Sequence, residues 1–448
     1  MNSDLLNKFD KAFNLISSLN MSFINIRFLK IIYVKIQDSN QISYKFKRIT
    51  ALILKWVKKV EHDKARVLIL TGSYGEGHYQ VARAIEEAIK WKNLDLEPMI
   101  IDITSRKYPF INNISRRIFI EGITKFPSFY NYLYTKTREP NHFSSFIKVI
   151  GRAGVWSILE LINDLQPSIV ISTFPFAAGI MSYLKEQKLT RVPTLTIITD
   201  YTVHSIWIYP YTDQYIVGSN VVRHGLIQCG VKGELIKVTG IPIHPKFSND
   251  YKKEELKLKY GLKHNLPTVL IMGGGCGLIG EHNKILNSLE ECPFNLQVII
   301  ICGRNKKIKK SLENSLVYSK HHVIVMGFVD CIDELMAICD GMITKAGGIT
   351  ISEGLALNIP ILLYKPLGGQ EQDNTKFLVD SNIGTLVEDV HDLSNKIIAL
   401  LKKRYQHQFK QRDLFITNRQ KNSAFYAVNI IQSLILSDNH HFYKISAK

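Results

Sequence analysis

The sequence predicts an α/β protein with two doubly wound, Rossmann-like domains facing a cleft, preceded by a basic helical leader. Three observations carry this expectation. Short apolar runs recur between helical stretches, as in parallel sheets buried on both faces. A glycine-rich turn follows the first run of each of two series. A connection containing Pro242, Pro245 and Asn249 separates the series like a hinge.

The leader covers residues 1–64. Its second half places Phe46, Ile49, Leu52, Ile53, Trp56 and Val60 at helical spacing, among Lys47, Lys55, Lys58 and Lys59. Two readings stand: a solvated helix packed on a domain, or an interfacial membrane anchor. Asp4, Lys8, Asp10 and Lys11 interrupt the start, so no secretory signal is expected. Arg27, Lys30 and Lys35 break the apolar stretch from Leu15 to Ile36, so no transmembrane helix is expected either.

The first domain is expected over residues 65–248. Its strands are read at Arg66–Thr71, Met99–Ile103, Ile169–Thr173, Thr194–Thr199 and Gln214–Val217. The second is expected over residues 249–405, with strands at Thr268–Met272, Leu296–Ile301, Val323–Met326, Gly341–Thr344, Ile359–Leu363 and Gly384–Val387. The tail, residues 406–448, regains helical spacing at Phe425, Val428, Ile431, Leu434 and Ile435.

At 448 residues, with 46% hydrophobic and 21% charged residues, the chain reads as globular and multi-domain. The net charge of +18 favours an anionic partner: nucleic acid, acidic lipid or a phosphorylated substrate. A nucleic-acid binder is disfavoured, because no zinc finger, RNP-like aromatic strand or evident recognition helix is present. Cys229, Cys276, Cys292, Cys302, Cys331 and Cys339 are scattered without a C-x-x-C pair. They read as reduced core thiols of a cytosolic protein, not as a zinc site or disulfide framework.

The chemistry-bearing pieces lie at predicted strand ends. Lys345-Ala346-Gly347-Gly348-Ile349-Thr350 precedes a helix, whose unpaired N-terminal amides suit an anion. Glu353 lies one turn further on, within reach of ribose hydroxyls. The polar run Gln370-Glu371-Gln372-Asp373-Asn374 follows the next buried strand, where it faces a sugar. Phosphate cradle, ribose acceptor and sugar reader, in that order, suit a nucleotide-sugar ligand. Gly273 and Gly274, in a run of glycines closing Thr268–Met272, allow close backbone approach to a diphosphate or sugar. Main-chain groups of Phe328 and Val329 are placed to pair with a base edge.

Gly72-Ser73-Tyr74-Gly75-Glu76-Gly77-His78 closes the first strand and opens a helix. It resembles a dinucleotide fingerprint loosely, and Asp102 could serve as the acidic residue such a site wants. His78 discriminates, since a fingerprint needs no imidazole. At a helix start an imidazole is biased toward its neutral form, suited to taking a proton from a hydroxyl; the alternative is a helix cap. Asp200, at the end of the Thr194–Thr199 strand, can orient a base or act as one. His204 and Trp207 follow closely. Trp207 offers a face to an acyl chain or sugar ring, although packing into the core is the commoner fate of a single tryptophan. Between Tyr108 and Tyr134, Arg116 and Arg117 lie among aromatics, a combination suited to an anionic membrane interface.

The ordered set GSYGEGHYQVARAI (72–85), STFPF (172–176), ITDYTVHSIW (198–207), VTGIPIHPKF (238–247), LIMGGGCG (270–277), MGFV (326–329), AGGITISEGLALNIPIL (346–362) and GGQEQDN (368–374) resembles the monogalactosyldiacylglycerol synthase and processive diacylglycerol glucosyltransferase family. The resemblance implies a GT-B fold and an inverting transfer of glucose or galactose from a UDP-sugar to diacylglycerol. It implies no cofactor and no catalytic metal, in keeping with the lack of a D-x-D motif in metal-binding context. It assigns the ribose to Glu353, the diphosphate to Gly347–Thr350, the sugar hydroxyls to Gln370 and Glu371, and the uracil to Phe328. It sets His78 on the acceptor side with Asp200 as partner, among Gly75, Gly77, His204, Trp207, Arg116 and Arg117. The implied location is peripheral, on the cytoplasmic face of an anionic membrane. The leader is longer than a minimal bacterial member needs. Alternatives are a transferase acting on another lipid, such as an undecaprenyl-linked precursor, or a non-catalytic lipid-surface scaffold.

Overall fold

The computed structural model describes residues 64–72, 76–104, 127–139, 154–274, 282–315, 319–405 and 419–445. Met1–Lys64 and Ala65–Lys448 separate as two compact units, and everything below concerns the second. The amphipathic leader, Gly75, Arg116, Arg117 and the glycines Gly275 and Gly277 lie outside the described residues.

The first sheet comprises β1 (Ala65–Thr71), β2 (Leu96–Asp102), β3 (Ile169–Ser172), β4 (Thr194–Ile197), β5 (Gln214–Val217) and β6 (Ile236–Val238). The second comprises β7 (Thr268–Met272), β8 (Gln297–Ile301), β9 (His322–Met326), β10 (Gly341–Thr344), β11 (Ile361–Tyr364) and β12 (Gly384–Val387). The helices in chain order are α1 (Glu76–Trp91), α2 (Pro127–Arg138), α3 (Val155–Leu165), α4 (Pro175–Glu186), α5 (Asn220–Gln228), α6 (Lys253–Lys259) and α7 (His282–Glu290). They continue with α8 (Lys306–Ser315), α9 (Ile332–Ile338), α10 (Gly348–Ala356), α11 (Gln370–Asp380), α12 (Leu393–Tyr405) and α13 (Ser423–Ile445).

Both sheets are parallel throughout, in the orders β2-β1-β3-β4-β5-β6 and β12-β11-β10-β7-β8-β9. The two-sheet, doubly wound expectation is therefore met. The reason is visible in burial: Val67–Leu70, all of β3 and β4, and all of β7 and β8 are covered on both faces. Such strands carry consecutive apolar positions, as in Val67–Leu70, Ile169–Ile171, Val269–Met272 and Val298–Ile301, while β4 alternates buried threonines with Leu195 and Ile197. Strand order reverses between β1 and β3 in the first sheet and between β7 and β10 in the second. Ligands of open α/β sheets bind beyond the carboxyl ends at such reversals. The described residues there are Gly72, Glu76–His78, Thr173–Phe174, Gly273–Gly274 and Lys345–Gly348.

Several expectations change. β6, only three residues long, has no sequence signal of its own, and β4 ends at Ile197, ahead of Thr199. The connector after β6 is no polar hinge. Ile241, Ile243 and Phe247 are buried, Gln420 donates to the Ile241 carbonyl at 2.7 Å, and the Ile243 amide donates to Ser423 Oγ at 3.3 Å. The tail forms α13, with Ala424, Ala427, Val428, Ile431 and Ile435 buried at helical spacing. It returns to the first sheet's side, where Lys92 donates to Asn429 at 2.5 Å beside Trp91 and Phe425. One hydrophobic cluster runs from β1 and α1 through Phe247 to β10, α10 and α13, so the two lobes share a core. Cys292, Cys302 and Cys339 are buried thiols as expected; Cys229, at the end of α5, is exposed instead. Among the described residues no helix is long and apolar enough to cross a membrane.

Candidate active site

β1 delivers the first lobe's turn. Gly72 is required there by contact: a Cβ would lie 2.7 Å from the Phe174 ring, which closes over the strand end. His78 sits in the first turn of α1, half-buried, with Nδ1 3.2 Å from Thr199 Oγ1. Phe174 meets it edge-on at 5.3 Å between centroids, and Trp207 lies 5.9 Å away. Burial pushes the imidazole down to about 4, against a hydrogen bond with the Thr173 backbone that favours the cation. At neutral pH it is uncharged and able to accept a proton.

Thr199 and Asp200 extend past β4 beside it. Burial pushes the Asp200 carboxyl up to about 6; a hydrogen bond with Asn374 opposes this, and the charges of Asp373 and Glu371 add to it. The carboxyl thus titrates close to neutrality. No hydrogen bond joins His78 to Asp200 among the described residues; Thr199, next to Asp200 in the chain, is the link.

In the second lobe, β10 leads through Lys345–Gly347 into α10. The first-turn amides of Gly348, Ile349 and Thr350 have no intrahelical acceptor, and the helix dipole adds positive potential there. Glu353 lies one turn on, its carboxyl pushed up to about 8 by burial; Lys246 opposes that shift and Asp333 reinforces it. Lys246 itself pairs with Asp333 at 2.9 Å. Glu371, in the first turn of α11, accepts from Lys345 Nζ at 3.1 Å and from the Leu367 amide at 2.8 Å. Gln370 opens the same helix. Gly273 is buried at the end of β7, and Gly274 adopts the left-handed φ of +71° that glycine favours. Phe328 is 48% exposed, with the Arg304 guanidinium 4.9 Å from its ring centroid, while Val329 packs against the shared core.

These two halves meet closely. A Cβ on Gly348 would stand 2.1 Å from the Thr199 carbonyl oxygen, so only glycine lets the α10 start approach the segment carrying Asp200. Gly77 contacts the α10 start more loosely, a Cβ there falling 3.6 Å from Ile349. Tyr201 stacks on Phe377 at 4.9 Å and 6°, and its hydroxyl lies 2.7 Å from Ser352 Oγ. Asp373 accepts from Tyr134 at 3.1 Å and Thr202 at 3.3 Å, and pairs with Arg138. Arg304 also pairs across the lobes with Glu76.

Two residues read as acceptor-facing are buried in the first lobe. Trp207 is buried in the cluster of Ile198, Tyr215 and Val217. His204 is buried too: its Nδ1 accepts the Ile206 amide at 3.2 Å, which leaves the ring proton on Nε2 to donate to the Tyr134 carbonyl at 3.1 Å. It anchors α2 to the first lobe. Arg304 was not singled out from sequence, although it follows β8 in Cys302-Gly303-Arg304; Asp373 stood in the polar run and Tyr134 in the aromatic segment, and neither was read as joining the lobes.

Comparison with known proteins identifies the family. Residues 78–243 match the monogalactosyldiacylglycerol (MGDG) synthase family, and residues 268–429 match the glycosyltransferase family 28 C-terminal domain. A processive diacylglycerol beta-glucosyltransferase of Bacillus cereus is 33% identical over 339 residues, 75% of this chain and 86% of the relative. The enzyme of that name from Bacillus pumilus is 29% identical, over 84% of this chain and 97% of its own. Among solved structures, Acinetobacter baumannii MurG superposes with a TM-score of 0.53 at 14% identity, covering 82% of this chain and 99% of MurG, a likeness of fold. The chain therefore belongs to the monogalactosyldiacylglycerol synthase and diacylglycerol glucosyltransferase family of glycosyltransferases, with the GT-B arrangement of two facing parallel sheets.

Proposed function

We propose that the protein transfers a hexose from a UDP-sugar to diacylglycerol by direct displacement, with glucose the sugar favoured by the names of its relatives. The observation that carries this reading is the approach of the α10 amide end to the Thr199–Asp200 segment, which sets an anion-binding helix start against a proton acceptor. The acceptor oxygen forms a bond to the anomeric carbon while the bond from that carbon to the β-phosphate oxygen breaks. The configuration inverts. Asp200 takes the hydroxyl proton, since a base titrating near the working pH is the best matched, and neutral His78 holds the acceptor hydroxyl. The electron pair leaves with UDP, stabilised by the Gly348–Thr350 amides and the helix dipole in place of a catalytic metal. In this reading Glu353 binds the ribose, Phe328 and Val329 frame the uracil, and Gln370 and Glu371 read the sugar, with Gly273 and Gly274 giving the diphosphate room.

A peripheral position on the cytoplasmic face of an anionic membrane belongs to the same proposal. Its support is the +18 charge and the exposed aromatics of the first lobe, Trp156 at 68% and Tyr132 at 57%, the latter beside Lys136. The test is incubation with labelled UDP-glucose or UDP-galactose and diacylglycerol vesicles, followed by chromatography of the lipids. Labelled glycolipid is expected. Label that stays in the water phase with both donors would overturn the reading.

A further inference from the structure

Asn374 was read from sequence as part of the sugar-facing run, yet it is fully buried. Its Oδ1 accepts the Tyr201 amide at 2.8 Å, and a backbone amide can only donate, so the orientation of the side chain is settled. Nδ2 then donates to the Ala346 carbonyl at 3.0 Å, and the amide favours the ionised form of the Asp200 carboxyl. Both ends of the buried amide are thereby engaged by backbone groups within the protein. What they join is more telling: Tyr201 and Asp200 belong to the first lobe, and Ala346 opens the phosphate turn of the second.

We propose that Asn374 is a positioning residue that, through the Tyr201 amide, ties the segment carrying Asp200 to the Ala346–Gly348 turn, so that proton acceptor and leaving-group site keep one geometry. This rests on the transferase reading above and adds a device specific to it. The surroundings of Asp200 make such a tie necessary. Asp373 and Glu371 on α11 and Tyr134 on α2 all disfavour or are disfavoured by its charge, with Asp373 paired to Arg138 and Glu371 to Lys345. His78 lies on the far side of Thr199. Among these groups the Asn374 amide is the one that favours the Asp200 charge.

The experiment compares wild type with Asn374→Asp, a change that preserves shape but replaces the N–H donor with a second carboxylate. In carboxyl-labelled protein the Asp200 resonance, assigned by its loss in Asp200→Asn, should titrate about one pH unit or more higher in the variant. In transfer assays kcat should fall on the order of 10²-fold and the rising limb of the pH profile should move upward with the resonance, because both ends of the tie are displaced. KM for UDP-glucose should stay within about threefold. An unmoved Asp200 titration with KM raised about tenfold or more would make Asn374 a sugar reader and overturn the proposal. If Asn374→Asp does not fold, Asn374→Ser carries the same readouts with a smaller upward move. A wild type that transfers no sugar would sink the transferase reading alone, since the titration still decides whether Asn374 holds Asp200.

Discussion

Replacing Asp200 by Asn should make the protein more stable and almost inactive, and the size of the stability gain can be worked from its environment. The carboxyl titrates at about 6 in the folded chain against an ordinary value of 3.8. That difference of roughly two pH units costs the folded state about 3 kcal/mol when the group is ionised, at about 1.4 kcal/mol per unit. Because the folded value is the higher, the penalty is absent below the unfolded value and complete above the folded one. An Asn at this position keeps an oxygen for the Asn374 N–H but carries no charge. Denaturant unfolding of the variant should therefore exceed wild type by about 3 kcal/mol near pH 8 and by only about 0.5 kcal/mol near pH 4. Transfer should fall on the order of 10²–10⁴-fold, the usual cost of removing a positioned base. A stability difference that does not grow between acid and neutral pH would refute the desolvated environment. Near-normal turnover in the same variant would refute the role of base.

Other expectations follow from the same geometry. His78→Ala should lower kcat on the order of 10²-fold or more while UDP binding, followed by calorimetry, survives. The rising limb of the wild-type rate should fall near pH 6, set by Asp200; a limb near pH 4 would transfer that role to His78. Gly348→Ala would force its Cβ away from the Thr199 carbonyl, 2.1 Å off, by about 1 Å or more, and a misplacement of that size lowers kcat on the order of 10²-fold. Unchanged kcat in that variant would show that the lobes need not approach this closely. Glu353→Ala should weaken UDP binding about 10-fold through loss of the hydrogen bonds its carboxyl makes to the ribose, and unchanged calorimetric affinity would contradict the ribose role.

The sequence made the fold legible because strands covered on both faces cannot hide. Runs such as Val67–Leu70 and Val298–Ile301 are apolar at every position, and each reversal of strand order falls beside a glycine-bearing turn. Gly72 and Gly348 stood out in motifs read as ligand-facing turns; in the fold each also stands where another protein group approaches too closely for a Cβ. What could not be read was which polar residues turn inward. His204 and Asn374 lie in polar stretches that look like surface or ligand-facing chain. Their partners, Tyr134, Tyr201 and Ala346, stand at sequence separations from 28 to 173, and only tertiary packing brings them together. The connector at Pro242–Asn249 misled in the same way, since α13 arrives from the far end of the chain to bury it.

The most direct test of the account is a structure of the protein with UDP bound. The diphosphate should lie against the Gly348–Thr350 amides with the ribose hydroxyls on Glu353 and the uracil beside Phe328. Nucleotide density anywhere else on the chain would contradict it.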